Sequence, residues 1–400
     1  QQFGIEPAGD KDASGKMSYI QTVSIARNAF VEAPKLTYSD TSFAHGKEML
    51  VLRMATEKIS GKLQKMKVDG TPQKGAIVFV KANTEAEAKT LGGSLGSLFG
   101  SGAAAVIIEE TPRWRRGWAR GASRPVNFTT ISGSKTKPRT GIFVLSKDAM
   151  AKMASLKEGT QIEISGKLGE PEIKKTWNAV GMIKGSDAKL SSEAILLSAH
   201  MDHIGVRENA PGDDKIYNGA DDDASGCIAV IELARIIAQG ERPKRSVMFA
   251  FYGSEEAGGF GSRYFVRNLP FPKEKLIANL QFEMLGRPDA KVKKNELWLT
   301  GYDRSDLGKE LAKQGALLVA DPHPTQNFFQ RSDNYTLARE GVIAHTVSSF
   351  GLHKDYHQAS DEIETIDFEH MTRSINSMIK PTIWLANSNF TPKWYEGKRP

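Results

Sequence analysis

Short apolar runs separated by polar stretches fill the second half of the chain, from Trp177 onward. Runs of about four to eight residues with this character predict buried β-strands. Between the first two runs, residues 224–239 show an apolar helical pattern that ends at Gly240, a typical helix stop. Strands that alternate with helices predict an α/β fold with a largely parallel sheet and helices on both faces. The predicted strands are 194–199, 246–252, 276–282, 297–300 and 342–347.

A different pattern occupies residues 42–175 and predicts a smaller α/β or β-rich domain. Short apolar runs predict buried strands with helices between them, and only one histidine, His45, is present. Because the region lacks a cluster of catalytic side chains, we expect it to have a binding or covering role. Residues 1–41, with a strand predicted at 18–25, are assigned to the same domain as 176–400. Within 42–175 the predicted strands are 75–80, 103–108, 141–145 and 160–164, and the predicted helices are 85–91 and 148–156.

Composition is that of an ordinary globular protein. Of the 400 residues, 40% are hydrophobic and 25% are charged, and no apolar run approaches the length of a membrane span. The single cysteine, Cys227, excludes an intrachain disulfide and a cysteine-based zinc site, so a buried structural thiol is expected. The net charge of +7 comes from basic residues spread along the chain, which favours a solvated surface over nucleic-acid binding.

Two motifs in 42–175 match functional patterns but are interpreted as loops. Residues 92–96 match the G-x-S-x-G nucleophile elbow, which requires a strand directly before it, whereas a charged, helix-like segment precedes it here. Residues 112–120 interleave arginines with Trp114 and Trp118, as a surface for nucleic acid or acidic peptides would. We expect an exposed loop there, although tryptophans on a loop often cover a neighbouring surface.

Polar side chains follow the predicted strands at the points where the strands end. Three consecutive aspartates, Asp221 to Asp223, also open the helix after the first strand. In open α/β sheets the ligand crevice lies outside the carboxyl ends of the strands, so these groups are expected to converge. The clusters lie at 198–203, 217–226, 252–257, 281–284 and 352–358.

A metal site explains this convergence better than the alternatives for each cluster alone. Those alternatives are a solvated acidic turn, surface positions for His203 and His353, and a helix start at Glu255 and Glu256. Glu283 is harder to explain in that way, because an acid at the end of a buried strand is costly unless it is paired or bound to metal.

Histidines and carboxylates without cysteine suit catalytic zinc with open positions for water and substrate. The number of these groups exceeds the needs of one ion, which predicts two metals that share a carboxylate, with Asp222 as the bridge.

These motifs together resemble the di-zinc aminopeptidase and glutamate carboxypeptidase family of metallo-exopeptidases, over roughly residues 177–390. Residues 42–175 resemble the protease-associated domain that many members carry as an insertion. The resemblance implies a zinc-exopeptidase-like fold with a mixed, mostly parallel sheet, two Zn²⁺ per chain and peptide substrates. The matching motifs are His200-Met-Asp202, residues 219–226, Glu255-Glu256, Phe282-Glu283 and Asp355-Tyr-His357.

The resemblance also implies a role for each motif residue. His200 and Glu283 would hold one zinc, Glu256 and His357 the other, and Asp222 would bridge them. Asp202 would orient His200, Glu255 would be the general base, and Tyr356 would stabilise the tetrahedral oxyanion. The implied reaction is removal of N-terminal residues by attack of a metal-bridging hydroxide, because zinc lowers the pKa of bound water toward ~7.

The sequence departs from the family pattern in two ways. Some aminopeptidases of the family have Asp where this chain has Glu283, and the longer arm could alter metal spacing. Family members usually begin with helices ahead of the segment matching residues 2–7, so a fragment or a processed form is expected. The family implies secretion or periplasmic export, which a chain without disulfides permits.

Three alternatives to an aminopeptidase stay open. A carboxypeptidase of the same family would need arginines that face the crevice, and Arg287 and Arg331 are candidates. A glutaminyl-cyclase-like transferase would bind one zinc per chain. A non-catalytic binding ectodomain would have lost a ligand or the base, and neither is missing from this sequence.

Overall fold

The computed structural model describes residues 3–82, 84, 86–87, 102–134 and 140–400. The G-x-S-x-G motif at 92–96 lies outside these residues, and so does the predicted helix at 85–91 except for residues 86 and 87. In chain order the strands are β1 Glu6–Pro7, β2 Ile20–Tyr38, β3 Thr41–Ala44, β4 Met49–Arg53, β5 Lys58–Met66, β6 Ile77–Val80, β7 Ala105–Glu109, β8 Asn127–Ile131, β9 Gly141–Leu145, β10 Gln161–Leu168, β11 Glu172–Ile183, β12 Ala194–His200, β13 Gly205–Val206, β14 Ile216–Tyr217, β15 Ser246–Tyr252, β16 Leu276–Phe282, β17 Leu297–Leu299, β18 Leu318–Ala320 and β19 Ala344–Ser348.

The helices complete the set of elements in the described residues. None of these helices combines the length and the apolar character that crossing a membrane requires. In chain order the α-helices are α1 Pro112–Arg116, α2 Trp118–Ala122, α3 Lys147–Ala154, α4 Gly226–Gln239, α5 Phe260–Phe265, α6 Leu307–Lys313, α7 Asn334–Arg339 and α8 Phe368–Asn387.

The chain divides into two compact units. The larger unit contains Gln1–Val23 and Lys175–Pro400, and the smaller unit contains Ser24–Lys174. The first division therefore lies earlier than the sequence-based boundary at residue 42. The reason is the long strand β2, whose first residues belong to the larger unit and whose remainder belongs to the smaller unit. A continuous strand carries no turn or linker residues that would mark the division in the sequence.

A mixed sheet forms the centre of the larger unit, in the order β1–β11–β15–β12–β16–β19–β17–β18. Strands β15, β12, β16 and β19 are mutually parallel, whereas β11 and β17 run antiparallel to their central neighbours. The predicted α/β class with a mixed, mostly parallel sheet is thus confirmed. Each of the five predicted strands corresponds to an observed strand, with boundaries that differ by at most two residues.

Helices cover both faces of this sheet. Successive side chains of a strand point in opposite directions, so each central strand contributes apolar residues to a core on either face. On one face, Ile195 and Leu197 of β12 pack in a core cluster with Leu233 of α4 and Met378 of α8. On the other face, neighbouring strand residues pack with α5 and α7. The members of that second cluster include Leu196, Met248, Phe265 and Leu337.

Helix α4 begins unusually close to the end of β16. A Cβ atom added to Gly226 would lie 2.3 Å from the carbonyl oxygen of Phe282 and 2.3 Å from the Oδ1 of Asp223. Glycine is therefore required for the helix to begin at this position. The close approach brings the acidic turn Ala220–Ser225 beside Glu283, which follows Phe282 directly.

The smaller unit is a β-rich α/β structure. Its strands pair in the order β3–β2–β10–β5–β6–β7–β9–β4, and β8 pairs with the β2 residues Ile25 to Ala29. The arginine–tryptophan segment, expected to be a loop, instead forms the short helices α1 and α2. Trp114 and Trp118 are partly buried against an apolar cluster of the smaller unit, which explains why tryptophans occur in this segment.

Candidate metal centre

The side chains that the sequence singles out lie just beyond the carboxyl ends of the parallel strands. His200 is the last residue of β12, and Glu283 follows β16 directly. Glu255 and Glu256 lie in the segment that follows β15. Asp222 lies in the acidic turn before α4, and His357 lies in the segment after β19.

Asp222 connects two groups of potential metal ligands. Its Oδ1 lies 3.2 Å from His200 Nε2, and the ligand atoms of His200, Asp222 and Glu283 lie within 4.8 Å of one another. We refer to these three residues as the first ligand group. The side chains of Asp222 and His200 are 3% and 1% exposed, so little water reaches them.

The other carboxylate oxygen of Asp222 faces the second ligand group, which consists of Asp222, His203, Glu256 and His357. Asp222 Oδ2 lies 3.3 Å from His357 Nε2 and 3.7 Å from His203 Nδ1. Glu256 Oε1 lies 3.2 Å from His357 Nε2 and 3.1 Å from His203 Nδ1. One carboxylate therefore presents a different oxygen to each group, as a bridging ligand must.

His203 is a member of this group that sequence reasoning did not select. A surface position is one interpretation of its sequence context, but the side chain is only 5% exposed. The available indication was its position three residues after His200, in a segment that follows a buried strand. Side-chain direction in such an irregular segment follows no period, so the sequence does not show that His203 points toward Glu256.

The polar atoms of the two groups fit a cation. His200 Nε2, both ring nitrogens of His203 and Glu256 Oε1 are buried and make no hydrogen bond of acceptable geometry within the described part of the chain. Buried polar atoms without partners are costly, and each of these atoms is a normal zinc ligand. Cations bound between the carboxylates and imidazoles would satisfy His200 Nε2, Glu256 Oε1 and the ring nitrogen of His203 that faces Glu256.

The ionisation of these residues shows how much the cluster needs a compensating charge. Burial raises the pKa of Glu283 to about 7 and that of Glu255 to about 10. The carboxylates of Asp222 and Glu256 raise the pKa of His357 to about 9. Burial would raise the pKa of Asp222 too, but the imidazoles of His200 and His357 lower it below its usual range. A metal cation would favour the anionic carboxylates and the neutral imidazoles at once.

The other two aspartates of the triplet face backbone groups. Asp223 accepts hydrogen bonds from the backbone N–H groups of His200, Gly226 and Met284, each at 3.1 Å. Asp221 accepts one from the backbone N–H of Gly286 at 2.7 Å. These two carboxylates therefore join the acidic turn to the ends of β12 and β16, and they leave Asp222 to face the ligand groups.

Asp202 lies between His200 and the two glutamates. Its backbone carbonyl oxygen lies 3.0 Å from His200 Nδ1, whereas its carboxylate Oδ1 is 3.9 Å away from that nitrogen. The carboxylate instead accepts the backbone N–H groups of Glu255 at 2.9 Å and Glu256 at 3.3 Å. Asp202 thus fixes the ring of His200 through its main chain and the two glutamates through its side chain.

Tyr356 borders a cavity beside Glu283. Its ring stacks on the imidazole of His357 with centroids 3.8 Å apart, and its hydroxyl accepts a hydrogen bond from Arg331 at 3.2 Å. Burial raises the pKa of Tyr356 to about 12, so the phenol keeps its proton at neutral pH. The cavity is lined by both polar and apolar side chains, and Arg331 is one of the polar ones. Its apolar lining includes Met284, Trp298, Phe328 and Phe350.

Buried strands that end in carboxylates and imidazoles, arranged around one shared aspartate, provide the donor set of a metal centre. The sequence profile described as Peptidase family M28 matches residues 178–380, and the chain belongs to this family. This match contains both ligand groups, Glu255 and Tyr356.

Individual relatives are more distant. An aminopeptidase of Pseudomonas aeruginosa is 33% identical over 116 residues, which cover 29% of this chain and 19% of that protein. Leucine aminopeptidase 1 of Paracoccidioides brasiliensis is 24% identical over 267 residues, 61% of this chain and 65% of that protein. A vacuolar membrane protease of Candida dubliniensis is 26% identical over 219 residues, 52% of this chain and 21% of that protein. The chain thus matches only about a fifth of the length of some of these relatives.

Among solved structures, the aminopeptidase from Aneurinibacillus sp. strain AM-1 superposes with a TM-score of 0.49 at 18% identity. The superposition covers 98% of this chain and 86% of that chain.

Proposed function

We propose that the chain is a zinc-dependent aminopeptidase that removes N-terminal residues from peptides. The observation that carries the proposal is the shared carboxylate of Asp222, whose two oxygens face two ligand groups with Glu255 adjacent to one of the ligands. His200 and Glu283 would hold one zinc, and Glu256 and His357 the other, with His203 close to the second. Two bound zinc ions would supply Lewis-acid activation of water and of the peptide carbonyl.

Glu255 would accept the proton of the attacking water and deliver it to the leaving amine. Its backbone N–H is fixed by Asp202, so the side chain begins from a defined position. Burial raises its pKa to about 10, and nearby positive charge would be needed to bring it into the range of a base at neutral pH. Positioned acid–base groups of this kind contribute roughly 10²–10⁴-fold to a rate. Tyr356, protonated at neutral pH, would donate a hydrogen bond to the developing oxyanion.

The charge of the site favours an aminopeptidase over a carboxypeptidase. Of the two arginines considered as carboxylate binders, Arg287 is engaged by Asp355 and Asp361, and Arg331 donates to Tyr356. Relatives that bear the name aminopeptidase support the same choice.

We further propose that the smaller unit, Ser24–Lys174, is a protease-associated domain and that the protein acts outside the cytosol. The β-rich α/β architecture supports the first proposal. A relative in Mycobacterium tuberculosis that is described as a probable lipoprotein aminopeptidase supports the second.

The test of the activity is a matched pair of peptides, one with a free and one with an acetylated N-terminus. We expect cleavage of the free peptide from its N-terminus, loss of cleavage after chelation, and recovery on addition of zinc. In the same assay, Glu255→Gln should retain zinc but lose at least ~10²-fold in kcat. Cleavage of the acetylated peptide from its C-terminus would contradict the aminopeptidase assignment, and near-normal kcat in Glu255→Gln would contradict the role of Glu255.

A further inference from the structure

The side chain of Arg287 connects three segments of the larger unit, one of them through Asp361. They are the acidic turn Ala220–Ser225, the segment 284–287 after β16, and the segment 353–361 that contains His357. The guanidinium of Arg287 is enclosed where these segments meet, with its side chain 13% exposed. Within the described part of the chain, its hydrogen bonds and ion pairs are with Asp355, Asp361 and Thr365 and with no member of the two ligand groups, so its effect on the metals is indirect.

The Nη2 nitrogen of Arg287 is connected to Asp222 through Asp361. Arg287 Nη2 donates to Asp361 Oδ1 at 2.9 Å and also to the hydroxyl of Thr365. The carboxylate of Asp361 is fully buried, and it accepts the backbone N–H groups of Asp221 at 3.1 Å and of Asp222 at 3.1 Å. The main chain of the proposed bridging residue is therefore held by a carboxylate that Arg287 neutralises.

The Nη1 nitrogen is connected to the segment of His357 through Asp355. Arg287 Nη1 donates to Asp355 Oδ2 at 2.7 Å, and Asp355 Oδ1 accepts the hydroxyl of Ser360 at 2.6 Å. Asp355 lies two residues before His357, so this ion pair fixes the segment from which His357 reaches the second ligand group. A planar guanidinium can hold two carboxylates at a fixed separation, which a single ammonium charge does less well.

A second connection joins the same segments and supports this interpretation. His353 Nε2 lies 2.9 Å from Asp221 Oδ2, and the other oxygen of Asp221 accepts the backbone N–H of Gly286, the residue before Arg287. The acidic turn is thus attached to both segments. Without Arg287, however, Asp361 would be a fully buried carboxylate facing Asp221 without its cationic partner.

We infer that Arg287 is a positioning residue that, through Asp361 and Asp355, sets the distance between Asp222 and His357 and so the affinity of the second ligand group for metal. The inference rests on the proposed function, because it assumes that this group holds zinc. It assigns Arg287 a role different from binding a substrate carboxylate.

The test compares zinc affinity in Arg287→Met and Arg287→Lys with that of the wild type, by competition with a chromogenic chelator. Partners that orient metal ligands typically change affinity by roughly 10–100-fold when removed, and we expect a loss in this range at one of the two positions for Arg287→Met. The zinc affinity of Arg287→Lys should lie between those of the wild type and Arg287→Met, because lysine restores the positive charge but not the planar group that can bond two carboxylates at once. In Co²⁺-loaded protein, the d–d absorption bands should shift in Arg287→Met.

Arg245→Met is the matched control. Arg245 is likewise buried and paired with a carboxylate, Glu193, at 2.7 Å, but it lies directly before β15, at the end of that strand opposite to Glu255. We expect this variant to lose thermal stability and to keep wild-type zinc affinity. Wild-type affinity and an unchanged cobalt spectrum in Arg287→Met, or an equal loss of affinity in Arg245→Met, would overturn the inference.

Asp355→Asn provides the test if Arg287→Met does not fold. It weakens only the arm toward His357 and leaves the buried pair of Arg287 and Asp361 in place. A several-fold loss of zinc affinity in Asp355→Asn supports the inference, and unchanged affinity overturns it. Absence of zinc binding by the wild type is a different result, since it would overturn the proposed function itself.

Discussion

Among single residues, Asp222 is distinguished by its position between the two ligand groups. Three adjacent carboxylates share one turn, yet they have different partners. Asp221 and Asp223 accept backbone N–H groups, and Asp221 also lies beside His353, whereas Asp222 faces the histidines of the two ligand groups. The contrast explains how consecutive aspartates are tolerated in a buried turn. Asp221 and Asp223 are satisfied by hydrogen bonds within the protein, and Asp222 faces the two ligand groups in which we propose that zinc binds.

Replacement of His203 is predicted to weaken zinc binding. Its Nδ1 lies 3.1 Å from Glu256 Oε1 and its ring is almost fully buried, so it either binds the second metal directly or orients Glu256. We expect His203→Gln to weaken zinc binding at the second position by roughly 10-fold or more, as removal of a ligand or of its partner does. The measurement is a zinc titration of the apo protein monitored by calorimetry.

The control for this prediction is His323→Gln. His323 is also buried and lies 2.7 Å from a carboxylate oxygen, that of Asp289, but it belongs to neither ligand group. Equal zinc affinities in wild type and His203→Gln would show that His203 has no part in the site. Equal losses in both variants would show a general effect of removing a buried histidine.

The sequence allows prediction of those site residues whose positions are determined by the ends of parallel strands. His200, Glu256 and Glu283 follow parallel strands closely, so the topology itself brings them to one edge. His203 and the contacts of Arg287 lie in irregular segments, where packing between distant parts of the chain determines the direction of each side chain. The main-chain contact of Asp202 with His200 is a detail of the same kind.

At the scale of elements, the apolar runs determine the strands and the glycines determine how closely they approach. Strands β12 and β16 are buried along their whole length and β15 at every residue but Phe251, and all three are predictable from the sequence to within one residue. The short strand β18 was not predicted, because three residues of mixed exposure give no periodic pattern. The boundary at residue 42 was misplaced because β2 continues across the division between the units.

Strand β19 carries a buried histidine that makes stability depend on pH. His345 Nδ1 lies 2.7 Å from the carbonyl oxygen of Thr300 and Nε2 lies 2.7 Å from the hydroxyl of Ser305, an arrangement that suits the neutral ring. Burial lowers the pKa of His345 from its ordinary value of 6.5 to about 4. The unfolded chain therefore binds a proton between these pH values while the folded chain does not.

The contribution of the neutral His345 ring to the free energy of unfolding is fully present above pH 6.5 and is lost as the pH falls toward 4. Between pH 7 and pH 5, we expect the wild type to lose about 2 kcal/mol more unfolding free energy than His345→Gln, since each pKa unit corresponds to about 1.4 kcal/mol. Urea denaturation at the two pH values measures the difference. Parallel losses in the two proteins would contradict the neutral buried state of His345.

At the scale of the whole molecule, the proposed metals link function to stability. The two ligand groups join residues that lie between positions 200 and 357 of the sequence and belong to one unit. A ligand that binds only the folded state stabilises it, by about 2.7 kcal/mol at a concentration 100 times its Kd. The α/β class and the largely parallel sheet were predictable because alternation of strands and helices permits few other arrangements.

The most direct test of the central claim is to titrate chelator-treated protein with zinc while following both bound zinc and the rate of cleavage of a peptide with a free N-terminus. The arrangement of Asp222 between two ligand groups predicts no cleavage without metal and binding that saturates at two zinc ions per chain, with cleavage restored during the titration. Undiminished cleavage by the metal-free protein, or saturation of binding at a single zinc per chain, would contradict it.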